Sequence, residues 1–80
     1  MKVFYKPRSE KGNLKRLPID SESEPAHKIC SKIKFQESIE HNLCIMLYDN
    51  KSGHQFKDND IIAKDSILEY QTSPLSSQPL

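Results

Sequence analysis

The chain has 80 residues, 35% of them hydrophobic, and its twelve Lys and Arg against eleven Asp and Glu leave a net charge of +1. That length makes one small domain, burying only about 60% of the surface its unfolded form exposes, and the near-neutral balance gives no overall pull toward nucleic acid or an anionic membrane. No stretch is apolar for long enough to span a bilayer, Met1-Lys2-Val3 does not open a signal peptide, and two cysteines are too few for a disulfide framework, so an intracellular protein with free thiols is expected.

Val3 to Tyr5 is a short β-prone run, and after a polar loop a second run follows at Leu14 to Ile19. The pair predicts a hairpin. Pro18 lacks an amide donor, so the second strand belongs at a sheet edge. This hairpin is basic: residues 1–18 carry Lys2, Lys6, Arg8, Lys11, Lys15 and Arg16 against Glu10 alone. The acidic segment Ser21-Glu22-Ser23-Glu24-Pro25 offers a capping serine, acids near a helix N-terminus and a proline in the first turn. A helix is expected from about Glu24 to Phe35 or Gln36. Its apolar stripe is Ala26, Ile29, Cys30 and Ile33, at i, i+3, i+4 and i+7.

Leu43 to Tyr48 is the most apolar stretch, and the turn Asp49-Asn50-Lys51-Ser52-Gly53 leads back into His54 to Phe56. If one face of this hairpin packs on the helix, Leu43, Ile45 and Leu47 point inward, and Cys44, Met46 and Tyr48 lie on the other face. Ile61-Ile62-Ala63 reads as a short apolar turn. Ser66 to Gln71 then forms a last strand with Leu68 and Tyr70 inward and Ile67, Glu69 and Gln71 outward. From residue 73 the Ser, Pro and Gln content predicts a disordered tail or linker, leaving a domain over residues 1–72.

One amphipathic helix and this strand order predict an α+β fold of β-grasp type, with the helix across one face of a mixed sheet of four to five strands. In that arrangement the first and last strands pair centrally, and the second and fourth lie at the edges. Several local features resemble the ubiquitin-like superfamily. In Lys51 to Asp58 a glycine turn leads to an aromatic and then an acidic residue, and Ile61-Ile62 followed by Asp65-Ser66-Ile67-Leu68 is similar to the short turn and last strand of ubiquitin. Val3-Phe4-Tyr5-Lys6, Ile19-Asp20 and Phe56 to Ile62 before Ser66 and Pro74 resemble the DWNN domain. That domain is a ubiquitin-like module at the N-terminus of RING-finger proteins of the pre-mRNA cleavage and polyadenylation machinery. The resemblance implies a nuclear, non-catalytic interaction domain that docks on 3′-end processing or ubiquitin-ligase components. It also implies that partners meet the sheet face opposite the helix, here Cys44, Met46, Tyr48, Ile67, Glu69 and Gln71. The ending Gln78-Pro79-Leu80 lacks a diglycine, so a conjugated modifier is not expected.

Two other chemistries have partial signals in the sequence. His27-x-x-Cys30 and His41-x-x-Cys44 carry donors that zinc favours, but Cys30 belongs to the apolar stripe and Cys44 to a strand, where free cysteine acts as a small hydrophobe. No metal or cofactor is expected. No recognisable signature surrounds either cysteine as a nucleophile, so an enzyme is not expected. The alternative function is a small RNA-binding module that uses the basic N-terminal hairpin, with Phe4 or Tyr5 stacking on bases. A core this small should claim at least one of those two aromatics.

Overall fold

A computed structural model describes residues 1–9 and 12–74. Its strands are β1 (Lys2–Pro7), β2 (Lys15–Pro18), β3 (Ser23–Pro25), β4 (Leu43–Asp49), β5 (Gln55–Phe56), β6 (Ile61–Ala63) and β7 (Ile67–Pro74), and its helix is α1 (Ala26–Gln36). Five strands form one mixed sheet in the order β2-β1-β7-β4-β5, and β3 pairs with β6 apart from it. Neighbours in the sheet run antiparallel except the central pair, where β1 and β7 run parallel with Phe4 opposite Ile67 and Lys6 opposite Glu69. The fold is therefore the expected α+β, β-grasp-like arrangement: first and last strands meet at the centre, Pro18 lies on an edge strand, and α1 packs on one face.

The core is the meeting of two periodicities. From α1 come Ala26, Ile29 and Ile33, all buried, with Cys30 packed beside them; from the sheet come Val3, Tyr5, Leu17, Leu47 and Leu68. Ile19 and Ile62 close it on the side of β3 and β6. Ile45 and Tyr70 turn inward as expected and are partly buried, Tyr70 tilting against Tyr5 with ring centroids 5.8 Å apart. Leu43, at the start of β4, stays half-buried and outside this cluster. Of the two N-terminal aromatics, Tyr5 enters the core and Phe4 faces the opposite side.

The helix entry departs from expectation. Ser23, Glu24 and Pro25 form a strand in register with Ala63, Ile62 and Ile61, and α1 begins at Ala26 after Pro25, with no side-chain cap. Backbone carbonyls take over the capping role: Ala26 N donates to Asp60 O at 2.8 Å and His27 N to Asp58 O at 3.1 Å. Two of the amides that every helix start leaves unpaired are thus satisfied by the segment before β6. Ile61 to Ala63 is correspondingly a strand and not a turn. Glu24 is drawn inside, 6% exposed, with Oε2 accepting from Asp20 N and Lys32 Nζ 3.7 Å from Oε1. The last strand also outruns its expected end, since β7 continues through Ser73 and Pro74, opposite Cys44 and Leu43. The tail expected from residue 73 lies, from residue 75 on, outside the described residues.

A polar network ties the C-terminal end of α1 to the first hairpin. The Tyr5 hydroxyl donates to Glu37 Oε2 at 2.5 Å and accepts from Gln36 Nε2 at 2.7 Å, while Lys15 Nζ holds both Glu37 oxygens at 2.8 and 3.0 Å. These bonds satisfy a phenol that would otherwise be costly to bury. The Lys15 and Tyr5 hydrogen bonds hold the Glu37 carboxyl below its ordinary value. A carboxyl with a depressed folded-state pKa contributes stability above its unfolded value of about 4.3, and that contribution is lost as pH falls through the lower folded value. Thermal unfolding followed from pH 5 to 3 should therefore show a falling midpoint in the native chain and a shallower fall in Glu37→Gln. Equal slopes would mean that the network is not formed in solution.

Candidate functional site

Helix α1 covers only one face of the sheet, and the alternation that buries Leu47 and Leu68 turns their neighbours to the other. Antiparallel pairing puts Met46 opposite Gln71, Tyr48 opposite Glu69 and Cys44 opposite Ser73. Parallel pairing adds Phe4 beside Ile67 and Lys6 beside Glu69. All six residues expected for partner binding, Cys44, Met46, Tyr48, Ile67, Glu69 and Gln71, therefore share this face. Cys44, Met46, Tyr48, Ile67 and Glu69 are half-buried and Gln71 is exposed.

The face is apolar along one diagonal and charged beside it. Arg8 lies over the ring of Tyr48, its guanidinium carbon 3.8 Å from the ring centroid, a geometry in which the cation meets the negative face of the ring. Tyr48 also points its hydroxyl at Met46 Sδ, 3.9 Å away. Glu69 sits at the centre and collects Lys6 Nζ at 3.2 Å, Arg8 Nε at 3.9 Å and Asn50 Nδ2 at 2.9 Å. Its carboxyl is held below the usual range, first by the Lys6 contact, so it remains ionised at neutral pH. Two of the cations of the basic hairpin are thereby engaged by an acid on the same surface.

The hairpin beneath Tyr48 is fixed by its turn. Asp49 accepts from the backbone amides of Lys51 and Ser52 and from the Ser52 hydroxyl, and Gly53 takes φ +76°, a conformation that L side chains rarely adopt. These bonds set the register that aims Met46 and Tyr48 outward.

The cysteines have separate surroundings. Cys30 packs between α1 and β4 and directs its thiol at Ile45 O, 3.5 Å away. Burial pushes its pKa up to about 11, so it stays a protonated thiol at neutral pH and is a poor metal ligand and nucleophile. His27 turns its Nδ1 to Asp58 O at 3.0 Å, and among the described residues no three His, Cys, Asp or Glu side chains converge as a metal site would need. Excess chelator should leave the circular dichroism spectrum and unfolding midpoint of the purified protein unchanged. Stoichiometric zinc whose removal unfolds the chain would contradict this reading.

One exposed apolar group escaped the sequence reading. Phe35 is 90% exposed near the end of α1 and borders a groove of about 440 Å³ against Leu17, Pro18 and Lys32. Its helix position, outside the i, i+3, i+4 stripe, was the available signal.

The class that the fold and this face define is a small β-grasp-like domain with one open sheet face, and among the described residues no helix is long and apolar enough to cross a membrane. No protein-family model matches the chain, and a search of curated proteins finds no match.

Proposed function

We propose that the chain is a non-catalytic ubiquitin-like protein-interaction domain, resembling the DWNN module, that docks through its open sheet face onto nuclear pre-mRNA 3′-end processing or ubiquitin-ligase machinery. The observation that carries the docking surface is the clustering of Met46, Tyr48, Ile67 and Phe4 on the face that the helix leaves bare. Met and Tyr are enriched in interfaces, the one adaptable and the other large and amphipathic. The β-grasp-like topology and the motifs from Val3 to Pro74 support the family reading.

The RNA-binding alternative has less support. A stacking platform needs free ring faces, but Tyr5 is buried in the core and Lys2 Nζ stands over the ring of Phe4, 5.6 Å from its centroid, while Glu69 places a negative charge beside Lys6 and Arg8. Affinity capture from nuclear extract, with and without nuclease and across a salt series, separates the two. The docking reading expects 3′-end processing or ubiquitin-pathway subunits that survive nuclease treatment and depend weakly on salt. Capture that disappears with nuclease and falls steeply with salt would transfer the function to RNA.

A further inference from the structure

The hydrogen-bond parity of β4 leaves part of one strand edge open, a feature separate from the docking face. Asn50 N donates to Ile67 O at 3.0 Å, continuing the register in which Asp49 opposes Leu68, so the even-numbered residues of β4 turn their backbone groups toward β7. The odd-numbered residues turn theirs the other way, where Asp49 N donates to His54 O and Leu47 opposes Phe56. Strand β5 pairs with β4 only at Leu47 and Tyr48. Among the described residues no strand pairs with Leu43 and Ile45 on this side. Leu43 N already donates to Glu40 O at 3.0 Å, and Ile45 O accepts the Cys30 thiol. Among the described residues one donor, Ile45 N–H, and one acceptor, Leu43 C=O, remain without a partner on this side.

We propose that this edge takes up a short extended segment of another protein as an added parallel strand. In a parallel ladder one incoming residue donates its amide to a carbonyl and accepts from the amide two residues further along. A residue in register with Cys44 satisfies Leu43 C=O and Ile45 N–H together, and the Cys30 thiol keeps its acceptor. A second copy of the chain fits poorly, because antiparallel pairing about Ile45 brings Leu43 of each copy opposite Leu47 of the other, the place Phe56 fills. The opening spans Leu43 to Met46, about 13 Å at roughly 3.3 Å per residue, so the segment is short.

Its chemistry follows from the two sides of the edge. The residue in register with Cys44 points to the outer face, and its two neighbours point inward beside Ile45 and Cys30, which calls for aliphatic side chains there. At the Leu43 end Lys34 reaches His41 O at 3.4 Å and makes no ion pair among the described residues, so a carboxylate on the N-terminal side of the segment is matched in charge. Toward the other end Asp58 is close enough to raise the Cys30 pKa, which disfavours a second one there.

The probe is the blocked peptide acetyl-Asp-Thr-Val-Thr-Val-Thr-amide, titrated into the 15N-labelled chain and followed by NMR. In the free protein the Ile45 amide should exchange at least about tenfold faster than that of Met46, and saturating peptide should slow it by about tenfold while shifting its resonance. A peptide N-methylated at its central Thr loses the donor for Leu43 C=O and should bind at least about tenfold more weakly, as a loss of roughly 1.4 kcal/mol implies. The proposal is overturned if the Ile45 amide is already as protected as that of Met46, if saturating peptide leaves it unshifted, or if the N-methylated peptide binds equally well.

Discussion

Ile33→Ala should lower the unfolding free energy by about 2 to 5 kcal/mol, the range for removing a large aliphatic side chain from a packed core. Ile33 is fully buried, three residues from Cys30 and four from Ile29 on the face of α1 that meets Leu47 and Leu68. The cavity left there has a helix on one side and a hydrogen-bonded sheet on the other, so neither wall collapses easily. A domain of this length has a total stability of only about 4 to 12 kcal/mol, so the variant should lose a large share of it. Urea denaturation of the two proteins measures the difference. A change below about 0.5 kcal/mol, typical of surface positions, would remove Ile33 from the core and with it the docking of α1.

Met46→Asp should do the reverse, leaving the fold nearly intact and removing partner binding. Met46 is half-buried on the open face, opposite Gln71 and beneath the Tyr48 hydroxyl, where a carboxylate can remain hydrated in the free protein. In a complex the same charge would be desolvated close to Glu69, whose own carboxyl already occupies Lys6 and Arg8. Loss of a central contact of this kind costs about 2 kcal/mol or more, a drop in affinity of roughly 30-fold. Binding measured beside circular dichroism decides the outcome. Unchanged affinity in a folded variant would place the interface elsewhere, and an unfolded variant would make Met46 a structural residue.

What the sequence disclosed was local. The stripe Ala26, Ile29, Cys30, Ile33 and the alternation through Leu43 to Tyr48 carry their periods openly, and together they oriented both faces of the sheet correctly. Ser23-Glu24-Pro25 misled because a serine, an acid and a proline before an apolar stripe are also the marks of a helix start; only the partner strand at Ile61 to Ala63, almost forty residues later, distinguishes the two. The same distance hid the bonds of Tyr5 with Gln36 and Glu37, and the stacking of Arg8 on Tyr48. Such contacts join side chains whose neighbours in sequence say nothing of one another.

The central pairing of β1 with β7 also bears on how the domain comes into being. Phe4 must wait for Ile67, and Val3 and Tyr5 are flanked on one side only, by Leu17 and Lys15 of β2, until Leu68 is present. At ordinary synthesis rates of about 5 to 20 residues per second, that interval is roughly 3 to 13 s. During it the first hairpin and the β4–β5 hairpin are two incomplete sheets, each showing a bare strand edge and an uncovered apolar face. A nascent chain of this protein should therefore be a chaperone client until β7 emerges, and nonsense truncations before Ile67 should be degraded rather than partly functional.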